Sequence, residues 1–330
     1  MNIQIRILEG DNIMLHSQFT EDEIKDCVMA CAGDKAPGPD GYTMAFFITC
    51  WEVVRKEVVA AIQNFHDHGE TRSRYPLGAH RVRSFSKVLT IRLKKVVYNL
   101  VDARQMAFIK GRQVMDAILI ANECVEERKN SKVPGILCKF DIEKAYDHLH
   151  WGFLWKSLEN MGFGGKWLKW IKFCTTTVKF SILINGAPSG FFSSERGLRQ
   201  GDPLSPFLFI LAMEGLNDML RTAQTRGWIR GFNANMNNKQ GLAISHLQYV
   251  DDTLIFCDAD NSQLKYLSVI LILFEAISGL HINWGKSFIF TVNEVPRINM
   301  LANILGGKVG DLPTTYLGMP LGDKSRSKGI

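Results

Sequence analysis

The stretch "SHLQYVDDTLIFC", residues 245–257, sets two adjacent aspartates, Asp251 and Asp252, between two apolar runs. Runs of this kind around a short polar centre predict a hairpin with the carboxylates at its turn. Two like charges side by side repel, so they need an explanation. A solvated surface turn, where Asp is common, is one reading. A metal site is the other.

Upstream, "GLRQGDPLSP" (197–206) is a Gly/Pro loop that leads into an apolar helix, "FLFILAMEGLNDMLRTA". Before it, "VKFSILINGAPSGFF" (178–192) predicts two strands joined by Asn185-Gly186, a strong hairpin signal. Residues 150–161 read as a helix. "GILCKFD" (135–141) reads as a strand that ends on Asp141. Downstream, residues 262–280 form a helical pattern ended by Gly279, and "KSFIFTV" (286–292) is a strand. The order strand, helix, hairpin, helix, hairpin, helix, strand predicts an α+β fold with a ferredoxin-like sheet. No G-x-G-x-x-G follows a strand, which argues against a dinucleotide site.

The N-terminal part reads as helical. Thr20 followed by Glu23 is a capping pattern. "DKAPGPDGYT" (34–43) is an irregular loop, and residues 46–65 form one helix. From 82 to 100, apolar residues recur at three- and four-residue steps with Arg81, Arg83, Lys87, Arg92, Lys94 and Lys95 between them, an amphipathic helix with a basic outer face. Residues 116–128 are helical. No repeat or low-complexity segment is present.

With 330 residues, 46% hydrophobic and 22% charged, the chain can bury a globular core. Its net charge of +6 is unevenly spread: residues 69–112 hold eleven Lys or Arg against two acids. Such a block suits phosphate backbones, and equally a solvated helix face. Seven dispersed cysteines read as reduced thiols of an intracellular protein, nuclear or cytoplasmic. The first residues lack the apolar core of a signal peptide, and no stretch is long enough to span a bilayer. His66 and His68 in "HDHG" lack further ligands nearby and read as loop residues.

Asp141 and the Asp251-Asp252 pair lie at the ends of strands that one sheet can bring together. Three carboxylates at close range raise one another's pKa unless a positive charge lies between them. Mg²⁺ suits such a set, taking hard oxygen ligands and keeping positions for water or phosphate. Two such ions support in-line phosphoryl transfer.

"FDIEKAYD" (140–147), "GLRQGDPLSP" and "YVDD" (249–252) resemble the core of a reverse transcriptase. "APGPDGY", "AFIKGRQ", "GLHINWGKS" and "TTYLGMPLG", in this order, resemble the plant non-LTR (LINE-type) retrotransposon enzymes over residues 36–322. The resemblance implies an RNA-directed DNA polymerase with a right-hand fold, acting on an RNA template, a DNA primer and dNTPs with two Mg²⁺ or Mn²⁺ ions. Asp141, Asp251 and Asp252 resemble the catalytic acids, Asp141 and Asp251 being the metal ligands and Asp252 more electrostatic in role. Tyr146 falls where the family keeps an aromatic gate against ribose, although on its residues alone it reads as core. Arg199, Gln200 and Gly201 resemble the loop that meets nucleotide and template. Lys286 resembles a lysine near the leaving phosphates, and is also a plausible solvated strand-start lysine. Tyr316 and Gly318 resemble the primer-grip turn. Lys110 and Arg112 resemble template or phosphate contacts.

The family's fingers motif Arg-Pro-Ile-Ser-Leu is absent from "TRSRYPLGAHRVRSFSKVL" (71–89), as after a deletion. The expectation is therefore an N-terminal extension with incomplete fingers over 1–134, a palm over 135–322 and a truncated thumb start over 323–330. No endonuclease domain is expected before the core and no Cys/His knuckle after it. The competing reading is a catalytically inactive nucleic-acid-binding retroelement remnant, resting on the basic block.

Overall fold

A computed structural model describes residues 6–33, 42–70, 79–177, 179–234 and 242–323. The expected 34–43 loop lies almost wholly outside them, as do Arg72, Arg74 and the side chains of Arg81 and Arg83. The chain forms two compact units. Of the described residues, one comprises Val101–His150 with those from Ile210 to Asp323, and the other those from Arg6 to Leu100 with Trp151–Phe209.

The first unit is built on a five-stranded sheet. Its strands are β1 (Gly135–Phe140), β2 (His246–Tyr249), β3 (Asp252–Asp258), β4 (Phe288–Val292) and β5 (Lys308–Gly310). The spatial order is β5-β4-β1-β3-β2, antiparallel except for the β4/β5 pair. β1 is almost continuously buried, as its apolar run requires when both faces are covered. Leu137, Leu254, Phe256 and Phe290 on one face share a core with Ala117, Ile118, Ala121 and Val125 of the helix Val114–Asn130. Toward the other face, Asn217 of the helix Ser205–Thr225 reaches His246 on β2 through a 2.6 Å hydrogen bond. The helix Asn261–Ser278 starts where the Asp260 side chain accepts from Gln263 N and stops at Gly279, φ +74°.

Ahead of β2 the extended chain is interrupted at Ser245. Leu242–Ile244 pairs instead with Phe232–Ala234. Gly231 permits this close approach, since a Cβ there would lie 2.1 Å from the Ile244 carbonyl oxygen.

The second unit is mainly helical. Thr20 caps Glu21–Met29 by accepting from Glu23 N at 3.1 Å. The single helix expected over 46–65 is two, Met44–Thr49 and Trp51–His68, broken at Cys50. Phe65 stacks on Phe85 with ring centroids 4.2 Å apart and packs beside Trp170. The hairpin Lys179–Ile184 and Ala187–Ser193 turns at Asn185 and Gly186, both at positive φ as a type I′ turn requires. It forms its own two-stranded sheet.

Of the basic outer face expected for residues 82–100, Lys94 and Lys95 are exposed as read, and one residue departs. The helix Ala79–Val96 forms, but Arg92 is only 3% exposed. Its Nε and NH2 each donate to the Glu23 carboxylate at 2.8 Å, and its guanidinium lies 4.1 Å from the Phe19 ring centroid. It also donates to the carbonyls of Leu15 and Gln18 at 3.0 Å. A planar, five-donor cation can be buried once its donors are met, which simple amphipathic periodicity cannot reveal. All seven cysteines are free thiols. Among the described residues, no helix is long and apolar enough to cross a membrane.

Candidate active site

Asp141 is the first residue beyond β1. Its backbone N donates to Ser287 Oγ at 3.3 Å, and its carbonyl accepts from Asn283 N at 2.8 Å. The chain then pairs Ile142–Glu143 with His281–Ile282 and passes through Lys144 at φ +42° into the short helix Ala145–His148. This brings Tyr146 back toward the end of β1. Half-buried, its phenol is pushed up to about 12, first by burial and then by the charge of Asp251.

β1 and β3 are neighbours, with Phe140 opposite Thr253, so the end of one lies beside the start of the other. The β2–β3 hairpin closes on the pair Tyr249 and Asp252. Val250 in its turn has φ +58°, an uncommon conformation for a β-branched residue. Burial raises the Asp251 carboxyl, the Asp141 charge raises it further, and Lys286 opposes. Burial likewise raises Asp252; Lys139 opposes it, while Asp251 and Asp141 add to it. The three carboxylates thus lie in one another's field. Among the described residues they do not close into a group of three or more potential ligands at metal-binding distance.

The donor set suits Mg²⁺ nonetheless, because that ion is commonly held by one or two carboxylates with water and substrate phosphate completing its octahedron. Asp141 and Asp251 supply two partly exposed hard oxygens whose mutual repulsion a cation would relieve. Lys286 Nζ, 3.9 Å from Asp141 Oδ2 and 73% exposed, is a solvent-screened counter-charge.

Arg199, Gln200 and Gly201 belong to the helical unit. Their loop is tied down from within. Asp202 Oδ1 accepts from Leu204 N at 2.9 Å, Ser205 Oγ donates to Arg199 O at 2.7 Å, and Gly201 takes φ +79°. The side chains of Arg199 and Gln200 are exposed.

Two expected nucleic-acid contacts are placed differently. Tyr316 is fully buried in the sheet core, its hydroxyl lacking a hydrogen-bond partner, so its ring cannot meet a primer. The following turn takes Leu317, which packs against the core, at φ +50° and the exposed Gly318 at φ +83°. It is anchored to β1 by Lys139 Nζ, which donates to Thr315 O at 2.8 Å. Arg112 donates to the backbone carbonyls of Val101, Asp102 and Gln105, so its guanidinium holds a loop together. Lys110 is exposed.

Buried polar residues were absent from the sequence expectations. Gln105 and Gln248 are fully buried beside the turn. Behind β2, Asn217 Nδ2 donates to Glu214 Oε2 at 2.9 Å, and His246 bonds to both Asn217 and Ser245. Burial pushes Glu214 up to about 8 and His246 down to about 3. The signal was present in "AMEGLND", where Glu and Asn interrupt an otherwise apolar helix.

The chain matches the family model "Reverse transcriptase (RNA-dependent DNA polymerase)" over residues 64–321. It is 49% identical over 72 residues to an uncharacterized mitochondrial protein of Arabidopsis thaliana, covering 22% of this chain and 57% of that protein. It is 22% identical over 300 residues to a transposon TX1 uncharacterized 149 kDa protein of Xenopus laevis, covering 83% of this chain and 22% of that one. It is 25% identical over 248 residues to the retrovirus-related Pol polyprotein of a type-1 retrotransposable element R2 of Nasonia vitripennis, covering 68% and 23%. The chain therefore spans less than two thirds of each of these relatives. With the model match covering most of its length, and with an α+β architecture that sets three aspartates at adjoining strand ends, the chain belongs to the reverse transcriptase (RNA-dependent DNA polymerase) family.

Proposed function

We propose that this chain is the polymerase segment of a plant LINE-type (non-LTR) retrotransposon protein, adding dNTPs to a DNA primer on an RNA template. The observation that supports it most is the electrostatic convergence of Asp141, Asp251 and Asp252 around adjoining strand ends, with Tyr146 beside Asp251. Asp141 and Asp251 would hold two Mg²⁺ or Mn²⁺ ions. Held there, they would supply activation of the primer hydroxyl and neutralisation of the leaving pyrophosphate. Asp252 adds negative potential beside them. The Tyr146 ring excludes a ribose 2′-hydroxyl, Lys286 offers a cation to the leaving phosphates, and Arg199, Gln200 and Gly201 meet the incoming nucleotide. Lys110 and the Gly318 turn contact nucleic acid through charge and backbone.

In this reading residues 135–322 are the palm and 1–134 supply shortened fingers. The motif that would carry a triphosphate-binding Arg has been lost. The test is primer extension on an RNA template with dNTPs and Mg²⁺ or Mn²⁺, beside an Asp251→Ala/Asp252→Ala control. Extension that the control lacks is expected. No extension by folded protein that still binds nucleic acid in a salt-dependent way would replace the proposal with a non-catalytic binding remnant.

A further inference from the structure

We propose that Gln105 is a positioning residue that holds the Val250 peptide in its left-handed conformation and thereby places Asp251. The inference rests on the reading of Asp251 as a catalytic carboxylate. Gln105 is fully buried. Its side-chain Oε1 accepts from Val250 N at 3.3 Å and from Ala107 N at 3.0 Å. The backbone on either side is fixed to β2: Gln248 N donates to Arg104 O at 2.8 Å, and Met106 N donates to Gln248 O at 2.9 Å. Gln105 and Gln248 thus form a parallel bridge at the edge of the sheet. Arg112 grips the Gln105 carbonyl from the other side. A continuous chain of contacts therefore runs from Arg112 through the Gln105 backbone and amide to the peptide that precedes Asp251.

This clamp has something to hold. Val250 at φ +58° is a β-branched residue in a region that L side chains disfavour. Such a conformation persists when its surroundings over-determine it. An amide oxygen suits the task, since a carboxylate here would bury a charge and an apolar side chain would leave two backbone donors unmet.

The test is a double-mutant cycle of Gln105→Met with Val250→Gly, read in two ways. Met keeps the shape of Gln105 and removes the acceptor. Gly removes the Cβ that makes the left-handed turn unfavourable. The first readout is hydrogen–deuterium exchange of the 249–252 peptides in the full chain, which needs no activity. Gln105→Met is expected to speed their exchange about ten-fold, with the helix Asn261–Ser278 unchanged, and the added Val250→Gly to return much of that loss. The second is primer extension, where Gln105→Met is expected to lower kcat about ten-fold at little change in KM for dNTP, again with partial rescue. Unchanged exchange in the turn, or strictly additive effects of the two substitutions, would overturn the proposal. Absence of extension by the native chain would sink the polymerase reading alone and leave the exchange result to decide the clamp.

Discussion

Glu214→Gln should stabilise the protein at neutral pH by an amount that depends on pH in a defined way. In the folded state Glu214 is pushed up to about 8, chiefly by burial, with the charge of Asp102 adding to it and Asn217 and Arg221 opposing. A raised carboxyl favours folding fully below the ordinary value of 4.5, and that contribution is lost as pH rises through about 8. At pH 7 the folded protein keeps a proton that the unfolded chain has released. Holding it two and a half pH units above the ordinary value costs about 3 kcal/mol at roughly 1.4 kcal/mol per unit. Gln is neutral in both states and can accept from Asn217 as Glu214 does. The variant should therefore match the wild type near pH 4.5, exceed it by about 3 kcal/mol at pH 7, and gain little more above pH 8. His246, held neutral by burial, favours folding above 6.5 and loses this as pH falls, but equally in both proteins, so the difference isolates Glu214. Urea titrations at pH 5, 6, 7 and 8 give the comparison. Parallel pH profiles for the two proteins would refute the buried-proton reasoning.

The raised Asp251 carboxyl favours folding below 3.8 and loses that contribution as pH rises, so Asp251→Asn should raise the melting temperature of metal-free protein at pH 7 and not at pH 3. The same variant should lose the rise in melting temperature that millimolar Mg²⁺ or Mn²⁺ gives the wild type. Arg92→Met removes the partner of Glu23, whose side chain is 16% exposed, and strands several carbonyls; chemical denaturation should show a loss of about 3–5 kcal/mol. Thr20→Ala removes a helix cap and should cost about 1 kcal/mol by the same assay. Tyr146→Ala should narrow the preference for dNTPs over rNTPs in single-nucleotide extension, with an unchanged preference counting against the gate.

Much of this architecture could be read from local signals. The Asn185-Gly186 turn, the Thr20 cap and the Gly279 stop each rest on a few adjacent residues and formed as read, and the strand expected to end on Asp141 stops one residue before it. The acids at 141, 251 and 252 could be placed together because apolar strands leave few ways to pair. What could not be read depended on tertiary context. Arg92 looks solvated in a helical pattern and is buried because Glu23 and the carbonyls ahead of it meet its donors. Tyr316 sits in a motif that suggests a surface contact, and its ring fills the core beneath the sheet. Gln105 lies in "RQMAF" with nothing to mark it, since its meaning comes from a peptide 145 residues away.

In the proposed function Asp141 and Asp251 hold the divalent metal. The direct measurement is Mn²⁺ binding followed by electron paramagnetic resonance, with an RNA–DNA primer–template and a non-hydrolysable dNTP. Tight binding should be abolished in Asp141→Asn and in Asp251→Asn and only weakened in Asp252→Asn. Equal Mn²⁺ occupancy in wild type and Asp251→Asn would contradict the account.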